Sequence, residues 1–413
     1  MTVSPPETPT TDKKATAKTA TETAGTHALP SAFRRLVNIP VVQASFTFVA
    51  FLVIFAIFGL WLGSKFLDVN ARILNIHQSV PLLLLGLAAM TTLVCGMFDL
   101  SVASMASLCA FLAVGLRADQ GLPFLLVIAI CLGVGALGGL INGLLVEKLK
   151  VNAFIATLGT GGVLLGLSSV YSDGAAIIPT ADSTPIPEWF TTLGAFTSKL
   201  PFWVPTVVFA LLMVLVFNKL RLARPQSLSA TSWTAASAVA VVAVAAILFA
   251  LGLSSVLDGI TWLVGLLLVV GVLLWTLVDY TVYGRNLKAS GSNAIAARLA
   301  GIRTSGVVIR AFVLGGVLAA GAGVVLSATQ GSASPDIAGA YLLPAFAAAF
   351  LSTVVFSTGR FTVWGTLAGG IFVVWVSQAL IAGGLPPTWT NIVNGGVLLI
   401  AVALSTAMRR SNR

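Results

Sequence analysis

Between residues 43 and 408 the chain is a succession of apolar runs, most of them close to the roughly 20 residues that a helix needs to cross the hydrocarbon of a bilayer. About twelve can be placed by that length criterion, at 43–64, 78–95, 99–117, 122–146, 155–171, 202–217, 232–253, 260–279, 307–328, 340–357, 361–383 and 390–408. Only 9% of the residues are charged and 57% are hydrophobic, where a soluble domain carries about 25% charged residues. The chain is therefore expected to be all-α, a polytopic membrane helix bundle of 10 to 12 spans by this count. The second and third runs are joined by a break too short for an ordinary loop, and 155–171 and 202–217 are short, so some spans are expected to be broken or re-entrant.

Charge sets the orientation, because loops on the cytoplasmic side carry the excess of Lys and Arg. With the N-terminal tail inside, the outer loops hold only Lys65, Arg72, Arg117 and Lys199 among the cations, against Asp68, Asp119, Asp173, Asp182, Glu188, Asp258 and Asp336. Both termini are then cytoplasmic. The organisation expected is a disordered tail over 1–40, rich in Thr, Ala and Pro, a membrane domain over 41–408 with a cytoplasmic loop at 280–306, and a basic tail at 409–413. The tail lacks the apolar core that a secretory signal places close behind its basic start. A net charge of +10 could suggest nucleic acid, but the cations are scattered singly between apolar runs, so no nucleic-acid partner is expected. Cys95, Cys109 and Cys131 lie inside apolar runs without paired spacing or neighbouring histidines, which argues against a disulfide framework or metal site. His27 and His77 have no partner in the spacing. Trp375 and Trp389 read as anchors at the membrane boundary.

The stretch YGRNLKASGSNAIAARLAGIR, 283–303, is a basic island between two apolar runs and contains no acid. Asn293 is a good N-cap, Ala294 to Ala300 are mostly strong helix formers, and Gly301 stands where a left-handed C-terminal cap belongs. Ile295 and Leu299, four apart, share one face. Two helical turns with an apolar face are marginal alone in water. The pattern makes sense as a helix docked into a partner.

These residues resemble the cytoplasmic coupling loop of the permease subunits of bacterial ABC importers for ribose, xylose and related sugars. Gly284, Arg285, Ala289, Gly291, Asn293, Ala296, Ala297, Arg298, Gly301 and Ile302 stand where that family's pattern has them, and Ile295 takes a position where it often has Glu. GMFDLSVAS, 96–104, is similar to the family's G-G-x-D-L-S-V-G segment, with Met97 and Ala103 in place of glycines. GLINGLLVEKLKVNAFIATLGT, 139–160, resembles its G-L-x-N-G-x-L-V and P-F-I-x-T-L-G-T run, with Ala153 in place of proline. The extra apolar pair within 232–279, preceded by the basic linker 218–227, looks more like the longer xylose-type permeases.

The resemblance implies a transmembrane permease subunit of an ABC importer that carries a pentose such as xylose or ribose, or a similar small polar solute, across the cytoplasmic membrane. It implies a cytoplasmic ABC ATPase subunit, an extracytoplasmic solute-binding protein facing outer loops such as 172–201, and a second permease copy in a homodimer. The chain has no G-x-x-x-x-G-K-[ST] loop and no Gly-Lys dipeptide. ATP is thus expected to be used by the partner, with no cofactor, metal or catalytic residue in this chain. The implied coupling residues are Gly284, Arg285, Asn293, Ile295, Ala296, Ala297, Arg298, Leu299 and Gly301. Candidates for the translocation path or a helix break are Asp99, Ser101, Asn142, Phe154, Thr157 and Thr160. Asp99 is the one acid near the membrane interior, where ionisable groups are costly; its spacing favours a carboxylate capping the next helix, with an anchor beside the path as the alternative. Asn142 reads as a bond to a neighbouring helix or to a sugar hydroxyl. The rival function is an ion-coupled secondary transporter, which needs several intramembrane acids or histidines; the chain offers little beyond Asp99.

Overall fold

The computed structural model describes residues 53–222, 252–355 and 359–411. The tail expected at 1–40 and nearly all of the run 232–253 lie outside the described residues. In chain order the helices are α1 (Val53–Leu62), α2 (Ser64–Leu67), α3 (Val69–Gln78), α4 (Val80–Leu93), α5 (Val102–Ala118), α6 (Phe124–Glu147), α7 (Ala153–Tyr171), α8 (Glu188–Gly194) and α9 (Trp203–Leu222). They continue with α10 (Ser254–Gly259), α11 (Trp262–Trp275), α12 (Val282–Ser292), α13 (Ala294–Leu299), α14 (Thr304–Gln330), α15 (Leu342–Val355), α16 (Val363–Ala382) and α17 (Thr390–Ser411). Among the described residues there is no strand, only two isolated bridges, Ile177 with Ala333 and Lys199 with Thr261. The all-α polytopic bundle is as the apolar runs require.

Among the described residues five helices are long and apolar enough to cross a membrane, and six when α3 and α4, bent by 54° at Ser79, count as one span. The dozen runs of the sequence therefore correspond, among the described residues, to these spans and a set of shorter apolar helices. α17 continues to Ser411, across the point at 409 where the sequence reading began a separate tail.

Every residue of α4 is buried, as expected of a helix that is apolar all round. It lies between two groups: α14 with α5 and α6 on one side, α15 and α16 on the other. α14 is the axis of the first group and is buried along most of its length. Its closest neighbour is α6, where Gly139 lets the backbones meet: a Cβ there would fall 2.8 Å from Phe312 C and Val313 Cα. Such small-residue contacts replace the hydrophobic drive that is missing between helices in lipid. α6, α7 and α11 turn large apolar side chains outward, including Leu125, Ile155, Leu158, Val163, Val170 and Leu273. That surface is suited to hydrocarbon rather than water.

At one end of the bundle the long connection 172–201 folds back as a cap. Its Thr184 N–H donates to Ala118 O, Arg117 Nε donates to Pro185 O, and α8 reaches His77. His77 is buried, with Nε2 2.9 Å from Gly194 O and Nδ1 2.8 Å from Thr261 Oγ1. Because a carbonyl only accepts, Nε2 carries a proton, and in the neutral ring Nδ1 then accepts from the threonine hydroxyl. Trp375, read as a boundary anchor, instead packs within the bundle against Phe55, ring centroids 5.5 Å apart. Its place in the middle of α16 explains the difference; Trp389 is exposed.

Candidate functional site at the elbow end of the bundle

The opposite end carries an elbow between α11 and α14. α11 ends in a π-helical turn, Thr276–Tyr280. Thr281 caps α12, accepting from Gly284 N at 3.2 Å, and an ion pair of Lys288 with Asp279 ties α12 back to that turn. α13 follows with both ends closed by local chemistry. Asn293 Oδ1 accepts from Ile295 N at 3.1 Å and Ala296 N at 3.0 Å. At the other end Gly301 adopts φ +83°, and Ile302 N donates to Ala297 O while Gly301 N donates to Arg298 O, the paired bonds of a Schellman cap. The orphan groups of this short helix are satisfied before any partner arrives.

Of α13's side chains only Ala297 is buried. Ile295 is 68% exposed and Leu299 86% exposed. Ala296 and Arg298 are also exposed, as is Arg285 on α12. Gly284 is different: it is buried against the Val278 carbonyl in the middle of the π-helical turn. The sequence pattern missed α12 as a helix, because Gly284, Ser290, Gly291 and Ser292 weaken its propensity.

α12 is held by packing. Leu287 is fully buried in a small core of Cys95, Val146, Ala156, Val307, Val308, Ala311 and Phe312. Tyr283 borders it, and burial raises its phenol above the usual range. This core joins the elbow to the ends of α4, α6, α7 and α14.

The break between α4 and α5, residues 94–101, is an inner turn at the same end. Gly96 takes φ +79°, Met97 N donates to Thr92 O, and Phe98 packs on Phe346 and Phe350 of α15, each 6.1 Å between centroids. Asp99 is buried but is not the N-cap of α5; that position is Ser101. Its Oδ1 accepts from Ser101 N at 3.0 Å and from Ser101 Oγ at 2.6 Å. Asn142 Nδ2 on α6 donates to Ser101 Oγ at 2.8 Å, and Thr160 Oγ1 on α7 donates to Asn142 Oδ1 at 2.7 Å. Thr157 Oγ1 accepts from Leu100 N at 3.1 Å and donates to Ala153 O. The bonds form one directed chain, Thr160 to Asn142 to Ser101 to Asp99, that ties α6 and α7 to the turn. Asn142 lies five residues from the end of α6, about 7.5 Å in at 1.5 Å per residue.

The structure thus brings together Asp99, Ser101, Asn142, Thr157 and Thr160. Phe154 stands apart, exposed in the first turn of α7. Cys95, Cys109 and Cys131 are buried and free.

The family described as the branched-chain amino acid transport system / permease component matches residues 73–402. The chain is 26% identical over 363 residues to the autoinducer 2 import system permease protein of Photorhabdus luminescens, covering 87% of this chain and 89% of that protein. It is 28% identical over 289 residues to the galactose/methyl galactoside import permease protein of Salmonella typhimurium, covering 69% and 68%. It is 27% identical over 361 residues to the ribose import permease protein of Haemophilus influenzae, covering 86% and 91%. No solved structure gives a significant match.

Proposed function

Because the chain belongs to the family of transport-system permease components, we propose that it is the membrane subunit of an ABC importer for a sugar or a similar small polar solute, driven by a separate ATPase. Solute class is suggested by the galactose, ribose and autoinducer 2 importers to which the chain is similar. The observation that carries the ATPase assignment is α13, a helix closed at both ends that holds Ile295 and Leu299 out of its own protein. An apolar helix face of this kind fits a groove in a partner.

In this reading the elbow end faces the cytoplasm, the ATPase clasps α13, and both termini lie on that side of the inner membrane. The cap formed by 172–201 faces the solute-binding protein, and a second copy completes the path. Asp99, Ser101, Asn142, Thr157 and Thr160 lie on the cytoplasmic side of that path, where they hold the inner turn closed. ATP is bound and split by the partner.

The test is reconstitution in proteoliposomes with an ABC ATPase and a solute-binding protein from the same organism. Uptake of labelled galactose, ribose or xylose against a gradient is expected only with all components and ATP. Accumulation by the permease alone would overturn the reading.

A further inference from the structure

Gly291 rests its backbone directly on the backbone of the inner turn. A Cβ added there would sit inside the contact distance of the Val94 carbonyl oxygen and 2.9 Å from Cys95 Cα. Neither is the free end of a side chain, so the contact has no rotamer slack. Leu287, one turn earlier on the same face, closes the joint from within the core that also holds Cys95. α13, in contrast, buries only Ala297. Force applied to the exposed helix reaches the bundle through α14, which follows it in the chain, and through α12, and α12 meets the turn at Gly291. Asp99 is four residues beyond Cys95. Packed elements of this density shift as units rather than deform continuously.

We infer that Gly291 is a positioning residue through which the elbow moves the inner turn. α12 and residues 94–101 travel as one body, while Asn142 and Thr160 stay with α6 and α7. The bonds from Asn142 Nδ2 to Ser101 Oγ and from Leu100 N to Thr157 Oγ1 then span the moving boundary and break when the inner side opens. This rests on the reading of α13 as the ATPase grip.

Two measurements on the assembled importer test it. With Cys109→Ala and Cys131→Ala, Cys95 is the only thiol left. A membrane-permeant maleimide is expected to leave it unlabelled both without nucleotide and with ATP and vanadate, because the joint stays closed. Labelling more than 10-fold faster in either state would show α12 sliding on the turn and overturn the inference. In the second, Gly291→Ala is expected to retain capture of the ATPase but lose at least 10-fold in uptake. Gly306→Ala, whose added Cβ meets nothing within 4 Å, should transport normally. Normal uptake by Gly291→Ala overturns the inference; if that variant does not reach the membrane, Cys95 protection decides alone. Capture of the ATPase by Leu299→Asp would instead remove the grip reading itself, so the two failures are distinguishable.

Discussion

Truncating Leu299 tests the docking face with a magnitude that the structure sets. Leu→Ala removes three carbons, worth about 0.8 kcal/mol each when fully buried. Leu299 is 86% exposed in the isolated chain, so a groove that covers it recovers nearly all of this, about 2 kcal/mol. At 1.4 kcal/mol per decade that weakens ATPase binding by about 30-fold. Ile295, 68% exposed, gives about 1.5 kcal/mol and about 10-fold by the same arithmetic. The two share one face and one groove, so the double variant is expected to fall short of the product. α13 itself should survive, since its ends are closed by Asn293 and by backbone bonds and Ala is the best helix former. The assay is titration of the purified ATPase onto permease in nanodiscs, read by interferometry. Binding within about 3-fold of the parent for Leu299→Ala, far below the burial estimate, would mean that this face is not where the motor docks.

Glycines on one helix provide a second, graded comparison. Gly139→Ala should cost about 1–3 kcal/mol in SDS denaturation, the usual range for overpacking, because its Cβ would strike the backbone of α14. Gly133→Ala, with nothing within 4 Å, should stay within about 0.5 kcal/mol of the parent; equal stability of the two would refute the close approach. In the polar chain, Asn142→Ala removes two interhelical bonds and should cost about 1–2 kcal/mol, while Thr160→Val removes one of them and should cost about half as much. A larger loss for Thr160→Val than for Asn142→Ala would contradict the directed chain.

What was legible in the sequence was whatever local chemistry decides. The all-helical bundle follows from the apolar runs, although they number more than the helices long enough to span among the described residues. α13 follows from Asn293 and Gly301, whose capping bonds reach no further than three to five residues along the chain. α12 was not legible because its stability is tertiary: Leu287 is explained by a core that includes Cys95, Val146 and Ala156, and Gly291 by Val94 and Cys95, all far away in sequence. His77 looked partnerless for the same reason, its partners being 117 and 184 residues distant. The polar residues near the inner turn could be nominated one by one. Their pairing could not, since Ser101 and Asn142 are 41 residues apart and helical spacing says nothing about which helices meet.

Asp99 shows what the pairing adds. As a helix cap it would be answered by the backbone alone and indifferent to α6 and α7. Instead its Oδ1 takes both the N–H and the hydroxyl of Ser101, and every hydroxyl or amide upstream is oriented to donate toward it. Chains of this kind polarise one another, so each bond strengthens the next. A carboxylate at the end of such a chain is compensated only while the chain is whole. Drawing the turn away from Asn142 takes away Ser101's own donor and weakens its support of Asp99, which biases the inner side towards closure until work is done on the elbow. In the proposed reading the work enters by a helix with an exposed apolar face and the resistance lies in a buried polar chain, so mutations at the two places should separate: those on α13 should act on affinity for the motor, and those at Ser101 or Asn142 on how readily the inner turn yields to it.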